Sequence, residues 1–356
     1  MNLMLDRSRS ISHAISRIVR TRDWWYGRIP QPLAVAYAIV LLQGIAPLQA
    51  VGAVALLLIC LISLFVYGYV LNDAFDVEID RLAGKPNAMA GRTPWQRLFI
   101  IVSLLIAGFL PWLLADLGAA ALMVLVANYV IATIYSAPPL RLKERGIWGP
   151  ITDALGENAV PVLFAATMFA HLSGLPHRSS LLLTAAATVW WFLNGLRAIF
   201  VHQISEHEID LQSGVHTFVT DIGPARARRL VIWGLFPAEL GALGVLTFAV
   251  HTFAPLLVYL FIAYGVIFQL ARLAHVWNVS LSPIPNASDG YFVLGEFFAV
   301  WPALTLAVFL VFRHPLFCLL LLLHVALYHR GITKGVCDLI RMIHGLVKRL
   351  CAKGRF

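Results

Sequence analysis

Charge is scarce in this 356-residue chain: Asp, Glu, Lys and Arg make up 13% of it, while 60% of the residues are hydrophobic. Soluble domains carry roughly 25% charged residues, so a water-soluble enzyme is excluded. Cysteine is sparse too. The four present, Cys60, Cys318, Cys337 and Cys351, form no CxxC pair and no zinc spacing, which leaves neither a disulfide framework nor a zinc ribbon. There is no HExxH. No long basic run is interleaved with aromatics, so the net charge of +9 does not indicate nucleic acid; anionic lipid headgroups are the expected partner. The first 32 residues hold six arginines but no short apolar stretch with a small-residue cleavage site, so no cleaved signal peptide is expected.

What the chain does have is apolar blocks about 16 to 26 residues long, enough for an α-helix to cross a hydrocarbon core ~30 Å thick. They predict an all-α polytopic membrane protein of nine helices, over 33–48, 50–71, 96–115, 117–135, 147–172, 180–201, 229–250, 253–271 and 291–312, with a shorter tenth at 315–328 that spans or lies in the interface. With the N-terminus inside and ten crossings, 24 of the 27 Lys and Arg fall on one side, which predicts a multi-pass inner-membrane protein with that side cytoplasmic. Residues 1–32 read as a basic interfacial segment with Trp24, Trp25 and Tyr26 at headgroup depth. Residues 33–329 read as one transmembrane domain and 330–356 as a basic cytoplasmic tail.

The few acids are patterned. Asp73, Asp76 and Asp80 stand at i, i+3 and i+7 with no helix breaker before Gly84, so a continued second helix carries all three on one face, with Asn72 beside them. Carboxylates so close repel unless cations sit among them. Hard oxygen ligands select Mg²⁺, which takes one or two protein carboxylates plus phosphate oxygens, so the arrangement asks for a diphosphate. After helix six, His202, Glu206 and Asp210 repeat the device at i, i+4 and i+8, followed by Gly214 as a stop. Two such helix ends on one side of the membrane can hold metal ions around a diphosphate, with Asn72, Asp73, Asp76, Asp80, Glu206 and Asp210 as ligands. Zinc is disfavoured, since His202 and His207 project roughly 140° apart on a helix. The recurrence four helices apart hints at two related halves.

Between the clusters lies Tyr135-Ser136-Ala137-Pro138-Pro139-Leu140-Arg141-Leu142-Lys143-Glu144-Arg145-Gly146. Its prolines break the fourth helix and present Arg141, Lys143 and Arg145 to a departing diphosphate, with Lys85 as a further candidate. Polar groups inside apolar helices are expensive and therefore functional candidates. Asn194 and Arg197 lie one turn apart on helix six; Asp153 and Glu157, on helix five, either contact the acceptor or form an internal ion pair, for instance with Arg197. Tyr69, Phe75, Tyr129, Trp190, Trp191 and Phe192 are candidate aromatic shelters for an allylic cation.

NDxxDxxxDR after helix two, YSxPPLRLKxRG after helix four and the acidic, glycine-ended segment after helix six together resemble the UbiA superfamily of intramembrane prenyltransferases. The resemblance covers residues 24 to 312. It implies about nine helices around a central cavity, Mg²⁺ dependence, and a polyprenyl diphosphate donor that ionises to an allylic cation before transfer to an aromatic or other lipophilic acceptor. It assigns metal and diphosphate roles to Asn72, Asp73, Asp76, Asp80 and Asp210, and a diphosphate or acceptor-side role to Tyr135 and Lys143. Lys85-Pro86-Asn87 stands where the superfamily has Asn-Arg-Pro, and Glu206 where Asp is usual. Two alternatives share parts of the pattern: phosphoribosyl transfer from phosphoribosyl diphosphate to a polyprenyl phosphate, and a transporter using the paired acids.

Overall fold

The computed structural model describes residues 18–82, 84–174, 178–212, 214–280, 282–284 and 291–353. Helix dominates these residues, and prolines start five of the main helices: Pro30, Pro47, Pro94, Pro224 and Pro255 each occupy the first helical position, where a missing N–H costs nothing. We number the main helices α1 (Thr21–Arg28), α2 (Pro30–Gln43), α3 (Pro47–Leu82), α4 (Pro94–Phe109), α5 (Ala119–Ser136), α6 (Trp148–Leu172), α7 (Arg178–Gln212), α8 (Pro224–His251), α9 (Pro255–Leu273), α10 (Val293–Arg313) and α11 (Cys318–Lys353). Among the described residues, eight helices are long and apolar enough to cross a membrane. The two-residue parallel pairing of Val279–Ser280 with Tyr291–Phe292 departs from the all-helical plan.

The apolar blocks are where the sequence places them, but three features differ. First, α3 and α7 run on to residues 82 and 212, well past the expected membrane exits at 71 and 201, so both acidic clusters stand on rigid helix. Second, α11 fuses the shorter tenth segment and the expected basic tail into 36 continuous helical residues. Third, Trp24, expected at headgroup depth, is packed inside the helix bundle. Residues 1–17 lie outside the described part, while Trp24 of α1 is fully buried and stacks on Phe65 of α3 at 5.4 Å and 18°. Its large apolar ring is buried by this stacking, and its indole N–H finds the Val19 carbonyl at 2.8 Å.

α2 is the central post, with ten of its 14 residues buried. α4 lies at the periphery and buries only Gly108. A Cβ at that glycine would stand 1.9 Å from the Tyr129 hydroxyl. The Tyr129 ring is held between Tyr67 at 4.9 Å and Phe109 at 5.2 Å and cannot yield. Gly108→Ala is therefore expected to cost about 1–3 kcal/mol of stability, read as a lowered thermal midpoint in detergent; an unchanged midpoint would count against this packing.

Candidate active site

Both acidic helices end by the same device. Gly84 after α3 and Gly214 after α7 adopt left-handed backbone (φ 66° and 67°), and the residue after each donates its N–H to the last cluster aspartate: Lys85 to the Asp80 carbonyl at 2.8 Å, Val215 to the Asp210 carbonyl at 2.9 Å. Such a turn needs φ > 0, which glycine supplies without penalty. The likeness reaches seven residues back. Asp73, seven before Asp80, accepts the Ala88 N–H on Oδ2 at 2.9 Å; Gln203, seven before Asp210, accepts the Val219 N–H on Oε1 at 3.3 Å. In each half a side chain ties the following loop back onto its helix. This pairs Asp73 with Gln203, Asp76 with Glu206 and Asp80 with Asp210, and supports the related halves suggested by the sequence.

The two helix ends open onto one cavity of about 1090 Å³. Asn72, Asp73, Asp76, Asp80, Lys85, Tyr135, Arg141, Lys143, Asp153, Glu157, His202, Glu206 and Asp210 all line it. The chain's own cations bridge the carboxylates. Arg141 Nη2 donates to Asp76 Oδ1 at 2.7 Å and the Lys143 ammonium donates to Asp76 Oδ2; the same ammonium reaches Asn72 Oδ1 at 2.8 Å. Burial lowers the Lys143 pKa below the ordinary lysine value, against the pull of Asp76. Asn87 Nδ2 donates to Asp80 Oδ2 at 2.7 Å. Lys85, from the α3 side, stands 3.6 Å from Glu206 on α7, and so joins the two clusters. Arg141 has a left-handed backbone (φ 41°) after the cis Pro138–Pro139 bond, and its Nε donates to Glu144 at 2.6 Å.

Among the described residues, no three carboxylate, imidazole or thiol groups converge on a single point. The six oxygen-bearing residues expected as ligands thus form two facing groups and not one coordination sphere. Their donor chemistry still suits Mg²⁺: every donor on the facing faces of Asp73, Asp76, Asp80, Glu206 and Asp210 is a hard carboxylate oxygen, and this ion needs few protein ligands when phosphate supplies the rest.

Three expected site residues lie elsewhere. Arg197 Nε donates to Glu239 of α8 at 2.5 Å and its Nη2 at 3.1 Å, while Asn194 Nδ2 donates to the same carboxylate at 2.9 Å, all away from the cavity. A buried guanidinium needs a carboxylate, and Glu239 is nearer than the acids of α6. Arg145 turns back to the Pro139 carbonyl at 2.7 Å and braces the loop. Of the aromatic candidates, Tyr69 lines the cavity; Trp190 and Trp191 line a separate apolar pocket, and Phe75 is exposed.

Several site residues escape sequence reasoning. Arg20 Nη1 reaches Asp73 Oδ1 at 3.1 Å. Arg28 donates to Glu157 Oε2 from Nε at 3.0 Å and to Asn158 Oδ1 from Nη1 at 2.6 Å, so the internal partner of Glu157 is Arg28 and not Arg197. Glu157 and Asn158 sit in a π-helical turn, Leu155–Ala159, of a kind that often marks functional sites. Tyr135 and Asp153 both line the cavity. Asn128, one helix face deeper on α5, is buried on the cavity wall with neither amide atom bonded to protein. Gln203 alone carried a sequence signal: its spacing to Asp210 equals that of Asp73 to Asp80.

Residues 32–282 match the UbiA prenyltransferase family. The chain is 32% identical over 208 residues to a lycopene elongase/hydratase of Halobacterium salinarum, covering 58% of this chain and 70% of that protein. It is 29% identical over 210 residues to a lycopene elongase/hydratase of Haloferax volcanii, covering 58% and 64%. Among solved structures, a UbiA homolog from Archaeoglobus fulgidus bound to GPP and Mg²⁺ superposes with a TM-score of 0.55 at 18% identity, over 90% of this chain and 99% of that one. The same homolog bound to DMAPP and Mg²⁺ gives 0.54 at 18% identity, over 89% and 98%. These structures share the fold.

Proposed function

Because the chain belongs to the UbiA prenyltransferase family, we propose that it transfers a prenyl group from a polyprenyl diphosphate to a long apolar acceptor, an acyclic polyene such as the relatives' names indicate. The observation that carries this reading is the single cavity in which two acidic helix ends face each other across Lys85 and Glu206, with Arg141 and Lys143 on the rim and apolar side chains behind them.

Magnesium, which the A. fulgidus homolog holds together with GPP, fits the carboxylates of Asp73, Asp76, Asp80, Glu206 and Asp210, and when bound supplies Lewis acidity to the diphosphate oxygens. Lys143 and Arg141 turn from Asp76 to the leaving diphosphate and stabilise the charge it gains as the C–O bond breaks with both electrons. The cavity wall of Leu64, Phe65, Ile131 and Ile199 keeps water from the allylic cation, and the Tyr69 ring shelters it. The acceptor's π electrons form the new C–C bond. The proton then lost from the acceptor goes to the carboxylate of Asp153 or Glu157, the latter held in place by Arg28. Asn128 offers an unbonded amide to any polar group at the acceptor's end.

The test is incubation of the purified protein in liposomes with labelled geranylgeranyl diphosphate and a polyene acceptor. Mg²⁺-dependent diphosphate release with a product heavier by the prenyl group is expected, and chelation with EDTA should reduce it to background. Product formation insensitive to EDTA would remove the metal assignment. Transfer from labelled phosphoribosyl diphosphate in place of the prenyl donor would establish the alternative transferase, and ion flux without diphosphate release the transporter.

A further inference from the structure

A second cavity lies apart from the catalytic one. It is a slot of about 80 Å³ between α2, α7, α8, α9 and α10, and it shares no lining residue with the catalytic cavity. Its walls are apolar: the Phe298 ring stands 4.2 Å from Trp190 and 5.6 Å from Phe261, and among the described residues no charged side chain lines it. Polar atoms are nevertheless buried in this wall without partners. Gln31, only 7% exposed, donates from Nε2 to the Gly27 carbonyl at 2.5 Å, which fixes the amide's orientation and leaves Oε1 with no hydrogen bond. Trp190 is fully buried, and its indole N–H meets no acceptor. Pro302, inside α10 and on the same wall, has no N–H to give the Phe298 carbonyl one turn earlier. Thr247 is the exception, since its hydroxyl donates to the Leu243 carbonyl at 2.7 Å.

We propose that this slot is a second binding site, which takes the hydroxyl end of a linear lipid alcohol. A buried amide oxygen and a buried N–H are each costly until a partner arrives. Gln31 Oε1 and the Phe298 carbonyl call for a donor, whereas the Trp190 N–H calls for an acceptor. A hydroxyl is the neutral group that is both. A phosphate, carboxylate or ammonium group would enter with its charge unpaired, which these walls forbid. Size narrows the choice further: about 80 Å³, against about 1090 Å³ for the catalytic cavity, admits the end of one chain and no fused rings. The rest of the chain stays among the acyl chains of the bilayer. The occupant is not the reacting end of either substrate, because the acids and cations of the catalytic cavity are absent from this wall.

Photolabelling of the full chain in detergent tests the assignment, with hexadecanol carrying a diazirine beside its hydroxyl as probe and the matching hexadecane diazirine as control. Peptides covering 183–191 and 297–306 should take up the alcohol roughly tenfold more than the alkane, the ratio for one buried hydrogen bond gained. Unlabelled hexadecanol should compete, and a non-ionising prenyl thiodiphosphate with Mg²⁺ should not. Equal uptake of the two probes overturns the proposal and leaves water as the partner of Gln31. Competition by the thiodiphosphate overturns it too, because the slot would then be an arm of the catalytic cavity. Gln31→Leu removes the acceptor and should bring labelling by the alcohol down to that of the alkane; undiminished labelling would refute the role of Gln31. If that variant does not fold, Trp190→Phe reads the loss of the donor in the same way, and the ratio of alcohol to alkane on the unmodified chain decides the question.

Discussion

Asp76→Ala is expected to lower kcat for prenyl transfer by roughly 10³-fold or more, the scale of losing a pre-organised electrostatic contact to a developing charge. Asp76 is the carboxylate on which the site converges: Arg141 and the Lys143 ammonium both rest on it, and the same ammonium is shared with Asn72. Alanine removes an oxygen donor from the proposed metal site and at the same time releases the two cations meant for the leaving group. Asp76→Asn should show nearly the same defect, because it keeps the volume and loses the charge. Both variants should still bind inorganic diphosphate in the absence of Mg²⁺, since Lys143, Arg141 and Lys85 remain. Product formation from labelled prenyl diphosphate in proteoliposomes reads the result, and a rate within tenfold of the unmodified protein would contradict the central role of Asp76.

Glu239→Ala should have the largest effect on stability, a loss of about 3–5 kcal/mol, because it strands a buried guanidinium. Glu239 is completely buried and receives two nitrogens of Arg197 and one of Asn194, while the third Arg197 nitrogen donates to the Pro283 carbonyl at 3.4 Å. The double variant Glu239→Leu with Arg197→Met should recover most of that loss, since a buried ion pair replaced whole by apolar groups is often neutral. Thermal unfolding in detergent measures both variants. The folded fraction of either should keep its kcat, as the cluster lies outside the catalytic cavity. A stable Glu239→Ala protein without activity would return Arg197 to the site from which its geometry removes it.

Arg20, Arg28 and Arg197 show where sequence reasoning stops. In a sequence each is a basic residue in or near an apolar block, and the same letter serves as a topology signal, a substrate ligand or half of an ion pair. Their partners lie 53, 129 and 42 residues away. Arg197, the one expected to serve substrate, is committed to a structural pair, while the two taken as headgroup charges reach the cavity. Arg145 and Lys143, two residues apart, likewise diverge: the loop's fold turns one toward Asp76 and the other back to Pro139. Trp24 was legible as a membrane-protein aromatic, but its depth was set by a groove beside Phe65 that no local pattern encodes.

By itself the sequence determined the membrane class, the helical blocks and the two acidic faces, because each of these rests on local regularities: the length of an apolar run, the 3.6-residue period, a glycine after the last aspartate. Even the scarcity of charge was informative, since in an apolar chain each ionisable group must have a use. Tertiary structure alone decided which cation answers which carboxylate, that both helix ends open on one cavity, and that the N-terminal helix forms part of its wall. Those choices depend on distances between segments far apart in the chain, and a buried charge pairs with the nearest opposite charge that folding brings to it, whatever its place in the sequence.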